Sequence, residues 1–317
     1  MQQIEGFFQE CFRKPFPRIE KKTRLPRRQV FLKCFLLFKK SVIILISSAT
    51  ATALQSPNSE PGTGNLELFS KITAITARTA LVRSKIPGVA YVINPYLGCG
   101  HGCRYCYAVF MRKYSRNHAR SPWGEFVEVK VNIPEVLRVE LSRKKRRGRA
   151  LLSSVCDPYQ PAELKYRLTR SCLEILGEYG WGVDILTRSP LVCRDLDLLT
   201  GLPDVSVGLS IPTDDDRVRQ VLEPQAPPIG ARVAALRRLR QAGLKPWVFI
   251  APLLPMNPER LYELLAPHVG RVMMDPLNYR GQVRSLFSRR GWDYYLTDAY
   301  AAATRARLEE LFGSRDV

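Results

Sequence analysis

From residue 80 onward, short apolar runs alternate with longer amphipathic stretches. The runs at 89–93 (VAYVI), 150–155 (ALLSSV), 182–187 (GVDILT), 205–211 (VSVGLSI), 246–252 (PWVFIAP) and 271–275 (RVMMD) are near-continuously apolar. Runs of this length and composition predict strands buried on both faces. The stretches 134–144, 162–179, 191–199, 229–242 and 258–266 predict the helices between them, the fourth closed by Gly243 as a C-cap. Six such units predict an α/β fold with helices covering a parallel sheet: an incomplete (β/α) barrel of about six parallel strands. A doubly wound open sheet is the alternative. In both, working residues sit just past the C-terminal ends of strands. That rule filters the motifs that follow.

Residues 1–65 break the rhythm. Arg13, Lys14, Arg18, Lys21, Lys22, Arg24, Arg27 and Arg28 form a basic stretch. The apolar segment 30–46 (VFLKCFLLFKKSVIILI) is interrupted by Lys33, Lys39 and Lys40. No unbroken apolar run reaches the ~18–20 residues of a spanning helix, so no stable membrane insertion is expected. Segment 41–53 faintly resembles the end of a signal peptide, but the basic region before it is too long. A membrane-surface anchor, a signal sequence and a non-native extension from a misplaced start codon compete, and the last is favoured. The domain plan is then an extension at 1–65, a linker at 66–80, the (β/α) domain at 81–290 and a C-terminal helix within 291–317 packed on the barrel.

The 317-residue chain is 45% hydrophobic, enough to bury a sizeable core. Its formal net charge is +20. Such a surface attracts polyanions, DNA or RNA first among them; a basic tail or a generally basic proteome is the plain reading. Eight cysteines are too few for a disulfide-stapled fold of this length. Three crowd together, which points to a metal. Cys11, Cys34, Cys156, Cys172 and Cys193 read as scattered thiols of a reducing, cytoplasmic compartment.

The crowded three, Cys99, Cys103 and Cys106, lie in NPYLGCGHGCRYCYA, directly after the first strand. Zinc sites pair two C-x2-C knuckles or add histidines to reach four ligands. Here there is no second pair, and His101 is a poor fourth ligand on so short a tether. Three thiolates suit a [4Fe-4S] cubane with one iron left open for a chelating substrate. Gly98, Gly100 and Gly102 allow a tight wrap.

C-x3-C-x-aromatic-C, with Tyr105 at the aromatic position, resembles the signature of the radical S-adenosylmethionine (SAM) superfamily. The blocks SSVCDPYQPAE (153–163), LTRSPLVCRDLDLL (186–199), GLSIPT (208–213), LEPQAPPIGAR (222–232) and AGLKPWVFIAPLLP (242–255) follow in order. Over residues 80–290 they are similar to the spore photoproduct lyase-like family. That resemblance implies a [4Fe-4S] cluster, SAM, and a lyase-like reaction. An external one-electron donor of flavodoxin or ferredoxin type reduces the cluster. SAM is cleaved to methionine and a 5′-deoxyadenosyl radical, which takes hydrogen from a substrate.

The resemblance also implies roles. Its SAM-contacting positions fall on Cys156, Arg188 and Ser210, of which Ser210 matches in kind and Arg188 keeps the charge. Its hydrogen-donor cysteine position is occupied by Ser154, with Cys156 close by. Its tyrosine relay pair falls on Tyr105 and Tyr107. Radical generation is therefore expected, with a reaction related to but different from thymine photoproduct repair.

Asp157, Tyr159, Gln160 and Glu163 read either as pocket lining or as an Asp-Pro turn capping the next helix. Thr187 ends a strand beside Arg188. Glu223 with Pro224 is either a site block or a turn. Cys156 is a candidate hydrogen donor, and Cys172 and Cys193 are packed thiols. Lys245, Trp247 and Phe249 share a strand face and read as structural. The run 143–149 (RKKRRGR) precedes the second strand, on the side away from the catalytic mouth, and reads as a solvated helix end or a nucleic-acid contact. The competing function class is a non-catalytic, basic nucleic-acid-binding protein with a structural metal.

Overall fold

The structure, a computed structural model, describes residues 44–45, 71–86 and 88–313. The extension at 1–65 lies outside the described residues except for Ile44–Leu45. The strands, in chain order, are β1 Ile44–Leu45, β2 Lys71–Ile75, β3 Val82–Arg83, β4 Tyr91–Ile93, β5 Tyr96–Leu97, β6 Phe126–Lys130, β7 Arg149–Leu152, β8 Gly182–Thr187, β9 Val205–Ser210, β10 Trp247–Ile250 and β11 Arg271–Met274. Sheet order is β1-β11-β10-β9-β8-β7-β4-β3, with a second sheet β2-β6-β5. The six strands β4, β7, β8, β9, β10 and β11 are mutually parallel. This is the incomplete (β/α) barrel that the alternation predicts.

Register explains the core. Ile93, Leu152, Ile185 and Val207 are successive Cα partners across four strands. All four are essentially buried, as are Leu209, Val248 and Val272 in the row beyond. Each fully buried aliphatic contributes on the order of 1.5–3 kcal/mol. Gly208 admits the neighbouring ring of Trp247, since a Cβ there would lie 2.3 Å from it. Trp247 in turn donates its Nε1–H to Ser206 Oγ at 2.9 Å.

The helices are α1 Ile133–Ser142, α2 Ala162–Tyr166, α3 Leu168–Glu178, α4 Leu196–Leu199, α5 Asp216–Leu222, α6 Ile229–Gln241, α7 Pro258–Leu265, α8 Arg284–Ser288 and α9 Asp298–Gly313. Three expectations need correction. The single helix at 162–179 is two, broken at Arg167, whose φ of 52° is left-handed. The buried carboxylate of Glu163 accepts from the backbone N–H groups of Thr169 (2.9 Å) and Arg170 (3.2 Å), capping α3. The stretch at 191–199 is mostly a 3-10 helix, Pro190–Asp195, before the short α4. The linker at 66–80 contains β2, which pairs in parallel with β6. Helix α9 packs on α7, Phe312 meeting Tyr262 edge-on with centroids 5.1 Å apart.

Candidate functional site

Just past the first barrel strand, the chain folds into a loop of consecutive turns. The carbonyl oxygens of Cys99, Cys103 and Cys106 accept from the N–H groups of Gly102 (3.4 Å), Cys106 (3.2 Å) and Val109 (3.4 Å). The three thiols thereby face one cavity of about 300 Å³, a size at the lower end of ligand pockets. Two glycines make the wrap possible. Gly98 has φ +89°, and a Cβ there would lie 2.4 Å from Phe126 O. Gly102 has φ +60° and packs against Gly124, where a Cβ would sit 2.7 Å from the Gly102 Cα. Gln160 clamps the loop from the second strand's exit, accepting from Gly100 N (2.8 Å) and donating to Gly98 O (3.2 Å).

The donor set fits an iron–sulfur cluster. Among the described residues, no three His, Cys, Asp or Glu side chains converge as for a single metal ion. A cubane asks for something else, one thiolate on each of three irons around a shared cavity. Burial pushes the Cys99 thiol well above its usual range, and Cys103 up to about 12. Iron bound there would displace those protons. His101 lies in the same lining, its Nε2 3.4 Å from Asp157 Oδ2 and without a well-directed hydrogen bond.

Strand ends supply the remaining walls: Ser154, Cys156 and Asp157 after β7, Arg188 after β8, Ser210 on β9, Phe249 on β10 and Tyr279 after β11. Cys156 Sγ lies within reach of Ser153 Oγ (3.4 Å) and Tyr96 O (3.5 Å), either of which can accept its single S–H, and burial raises its thiol to about 11. Asp157 accepts from Tyr159 N (2.9 Å), Thr187 Oγ1 (2.5 Å) and Arg188 N (2.7 Å). Burial opposes its charge, but His101, Thr187 and the Arg188 N–H prevail and hold the carboxyl near 2. It organises two strand exits at once.

Glu223 is the electrostatic centre. It is fully buried after α5 and accepts from Arg188 Nε (2.8 Å), Arg232 Nη2 (2.5 Å) and the Tyr105 hydroxyl. Arg188 Nη2 also donates to the Tyr105 oxygen (3.2 Å), with its guanidinium 5.9 Å from the ring centroid. Burial again favours the neutral acid, but Arg232 and Arg188 outweigh it and bring Glu223 to about 2. Arg232 donates onward to Ser210 O at 3.0 Å. Tyr105 is thus committed to a polar network. Tyr107 instead reaches the cavity mouth, where its hydroxyl donates to Ser154 O and its ring stacks on Tyr279 at 6.2 Å. Ser210 Oγ donates to Ala251 O at 3.4 Å.

The structure therefore brings together Cys99, Cys103, Cys106, Tyr105, Tyr107, Ser154, Cys156, Asp157, Arg188 and Ser210 on one cavity, with Glu223 directly behind. Phe249 departs from its structural reading and lines the cavity, because its strand position faces the barrel interior near the mouth. Glu163 is a helix-capping and ion-pairing residue, 2.7 Å from Arg194, not a wall of the cavity. Residues 143–147 are exposed, and Arg149 pairs with Asp184 at 2.7 Å at the opposite end of the strand. Sequence reasoning passed over Arg232, Gln282 and Tyr279. The Gln282 amide faces the cysteine loop, and with its oxygen and nitrogen interchanged the NH2 group donates to Arg104 O (3.3 Å) and Cys106 O (3.2 Å). The strand-end rule was the signal for Tyr279, four residues past the 271–275 run. Nothing local marks the other two.

The Radical SAM superfamily profile matches residues 93–266, spanning the cysteine loop and the strands β7 to β10. The chain belongs to the radical SAM superfamily. An uncharacterized protein of Methanocaldococcus jannaschii is 38% identical over 185 residues, covering 58% of this chain and 68% of that one. One from Mycobacterium tuberculosis is 34% identical over 251 residues, covering 72% and 74%. Among solved structures, spore photoproduct lyase complexed with dinucleoside spore photoproduct aligns at 21% identity and a TM-score of 0.48, covering 67% of this chain and 62% of that one. A double mutant of the same lyase with bound AdoMet and dinucleoside spore photoproduct aligns at 17% identity and a TM-score of 0.47, covering 83% and 73%. For two other mutant forms of that lyase the radical SAM chain spans 56% and 62% of the solved chain. No helix among the described residues is long and apolar enough to cross a membrane.

Proposed function

We propose that Cys99, Cys103 and Cys106 hold a [4Fe-4S] cluster and that the adjoining cavity takes SAM, making this chain a SAM-cleaving enzyme with a polyanionic substrate. The carrying observation is that the buried thiols of Cys99 and Cys103, the half-buried thiol of Cys106 and the strand-end residues Arg188 and Ser210 line one cavity at the C-terminal mouth of the barrel. When bound, the cluster and SAM supply one-electron cleavage of a carbon–sulfur bond and a carbon radical that abstracts hydrogen.

The protein's own residues bind and orient. Arg188 presents a fixed cation to the cavity for the SAM carboxylate, its angle set by Glu223 and Tyr105. Asp157 is a positioning residue, tying Arg188 to the β7 exit. Cys156 keeps its hydrogen on Sγ at the cavity wall, where a substrate radical can take it: the S–H bond breaks as a C–H bond forms. Tyr107, at the mouth beside Ser154, is placed to relay a hydrogen atom back. Tyr105 supports the network.

Two observations favour a nucleic-acid substrate: the net charge of +20, and the segment after the cysteine loop, where Lys113, Tyr114, Arg116 and Arg120 are exposed between the cavity residues Tyr107 and Trp123. Interleaved cations and aromatics suit phosphates and bases.

The test is anaerobic reconstitution with iron and sulfide, followed by dithionite and SAM. The expected result is a brown protein that yields 5′-deoxyadenosine, and a Cys103→Ala variant with neither property. A colourless wild type carrying stoichiometric zinc overturns the proposal.

A further inference from the structure

Asp275 follows the last barrel strand, β11, and lines the cavity at that strand's exit. Its backbone is pinned on both sides: its N–H donates to Ile250 O (3.4 Å), and its C=O accepts from Leu253 N (2.9 Å). The side chain has no such hold. The residue is half-buried, and among the described residues no hydrogen bond and no ion pair reaches its carboxylate. Arg305 of α9 acts on it electrostatically but donates to Met274 O (3.1 Å). Burial pushes the Asp275 carboxyl above its usual range, and Arg305 only partly opposes this. The other acids of the site are engaged, Asp157 by Tyr159, Thr187 and Arg188, and Glu223 by two guanidinium groups. A carboxylate left without donors inside a cavity costs stability, so its presence calls for a ligand.

An ionised carboxylate only accepts hydrogen bonds, so it selects donors and repels phosphate. The phosphates of a polyanion therefore stay outside, and the part that enters is uncharged and carries N–H groups. A nucleobase has that chemistry. The walls around Asp275 suit its faces. Phe249, Tyr107 and Tyr279 line the same cavity, the two tyrosine rings stacked with 26° between their planes. Such rings take a base that has left its own stack. Asn278, on the same exit, is exposed, so this wall opens to solvent. Bases differ in what they offer a carboxylate. Thymine has one N–H between carbonyls, and adenine and cytosine set an amino group beside a ring acceptor. Guanine presents adjacent donors, N1–H and N2–H, which match both carboxylate oxygens.

We propose that Asp275 is a specificity-determining residue that reads a nucleobase at the cavity mouth by accepting hydrogen bonds from its N–H edge, with guanine the base it fits. This rests on the nucleic-acid reading of the substrate. Lys113, Arg116 and Arg120 hold the phosphates outside, and Asp275 supplies the discrimination that phosphate contacts cannot.

The test uses the reconstituted holoenzyme with SAM and single-stranded oligothymidylates that carry one central guanine or, in its place, hypoxanthine, which lacks the N2 amino group. Binding is read by fluorescence anisotropy. The wild type should bind the guanine strand about tenfold more tightly than the hypoxanthine strand. Asp275→Asn, a change of nearly equal shape, should bind the two strands alike and keep the wild-type salt slope, since the phosphates are held elsewhere. Its urea midpoint should match or exceed that of the wild type, because the carboxylate it loses has no partner in the fold. A lower midpoint makes Asp275 a structural residue and overturns the proposal. A loss of SAM affinity as large as the loss of guanine-strand affinity assigns Asp275 to the cofactor and overturns it too. So does a wild type indifferent to the base, or a variant that keeps the preference; neither touches the enzymatic reading, which 5′-deoxyadenosine formation by the wild type reports separately. A wild type that binds neither strand overturns the nucleic-acid reading, and the role of Asp275 with it.

Discussion

At the residue scale, the buried charge network beside the cavity turns on Glu223. Its carboxylate balances two guanidinium groups, and Arg232 is as fully buried as Glu223 itself. Removing one partner of a buried charge network costs roughly 3–5 kcal/mol, because the others keep their charge without compensation. Glu223→Gln should therefore lower unfolding stability by that amount in a urea titration and also weaken SAM binding, since Arg188 loses its anchor. The pH dependence has a definite sign. A carboxyl depressed from 4.5 to about 2 contributes in full above about pH 4.5 and progressively less as pH falls toward 2. Acid unfolding of the wild type should steepen in that window, and the Gln variant should lack the steepening. The sequence named Glu223 as a candidate but not its partner Arg232, nine residues on. A buried arginine and an exposed one look alike in one dimension, and only the turn of the chain after α5 pairs them.

At the element scale, the cysteine loop and the broken helix give opposite expectations for glycine. Gly98→Ala places a methyl group into Phe126 backbone at a left-handed position. Iron content after reconstitution should fall severalfold, read by elemental analysis, even where circular dichroism shows the barrel retained. Arg167 is the reverse case: an exposed non-glycine residue held at φ 52°. Arg167→Gly relieves a strain of roughly 1–2 kcal/mol and pays part of it back as unfolded-state entropy, so a net gain of up to about 1 kcal/mol is expected in the same urea titration. The helical period across 162–179 runs straight through this break. The signal that would reveal it, a carboxylate reaching over to cap α3, depends on how Glu163 of α2 is held by the hydroxyl of Tyr96 from β5. The three-stranded sheet escaped for a related reason: β5 has two residues, and β2 pairs with a strand more than fifty residues away.

At the scale of the whole molecule, the six barrel strands were legible because each is a nearly unbroken apolar run, and the rule that candidate residues gather at their C-terminal ends picked out side chains that share one cavity. What sequence order hides is which residues share a wall: Phe249 faces the cavity, while Glu163 turns away from it. The net charge of +20 belongs to this scale too. If the substrate is nucleic acid, affinity for DNA or RNA should fall steeply and linearly on a log–log plot against salt, with a slope near −0.9 per neutralised phosphate for duplex DNA. Replacing Lys113, Arg116 and Arg120 by Ala should flatten that slope by about 2–3, measured by fluorescence anisotropy.

The back-to-back contact of Gly102 with Gly124 has a practical side. It is made by main chain on both flanks, so it needs no inorganic partner to persist. If the three thiols hold a cluster as proposed, its loss in air would leave the backbone mould in place, and colourless protein should be restorable to full loading once its cysteines are reduced by added thiol and iron and sulfide are returned.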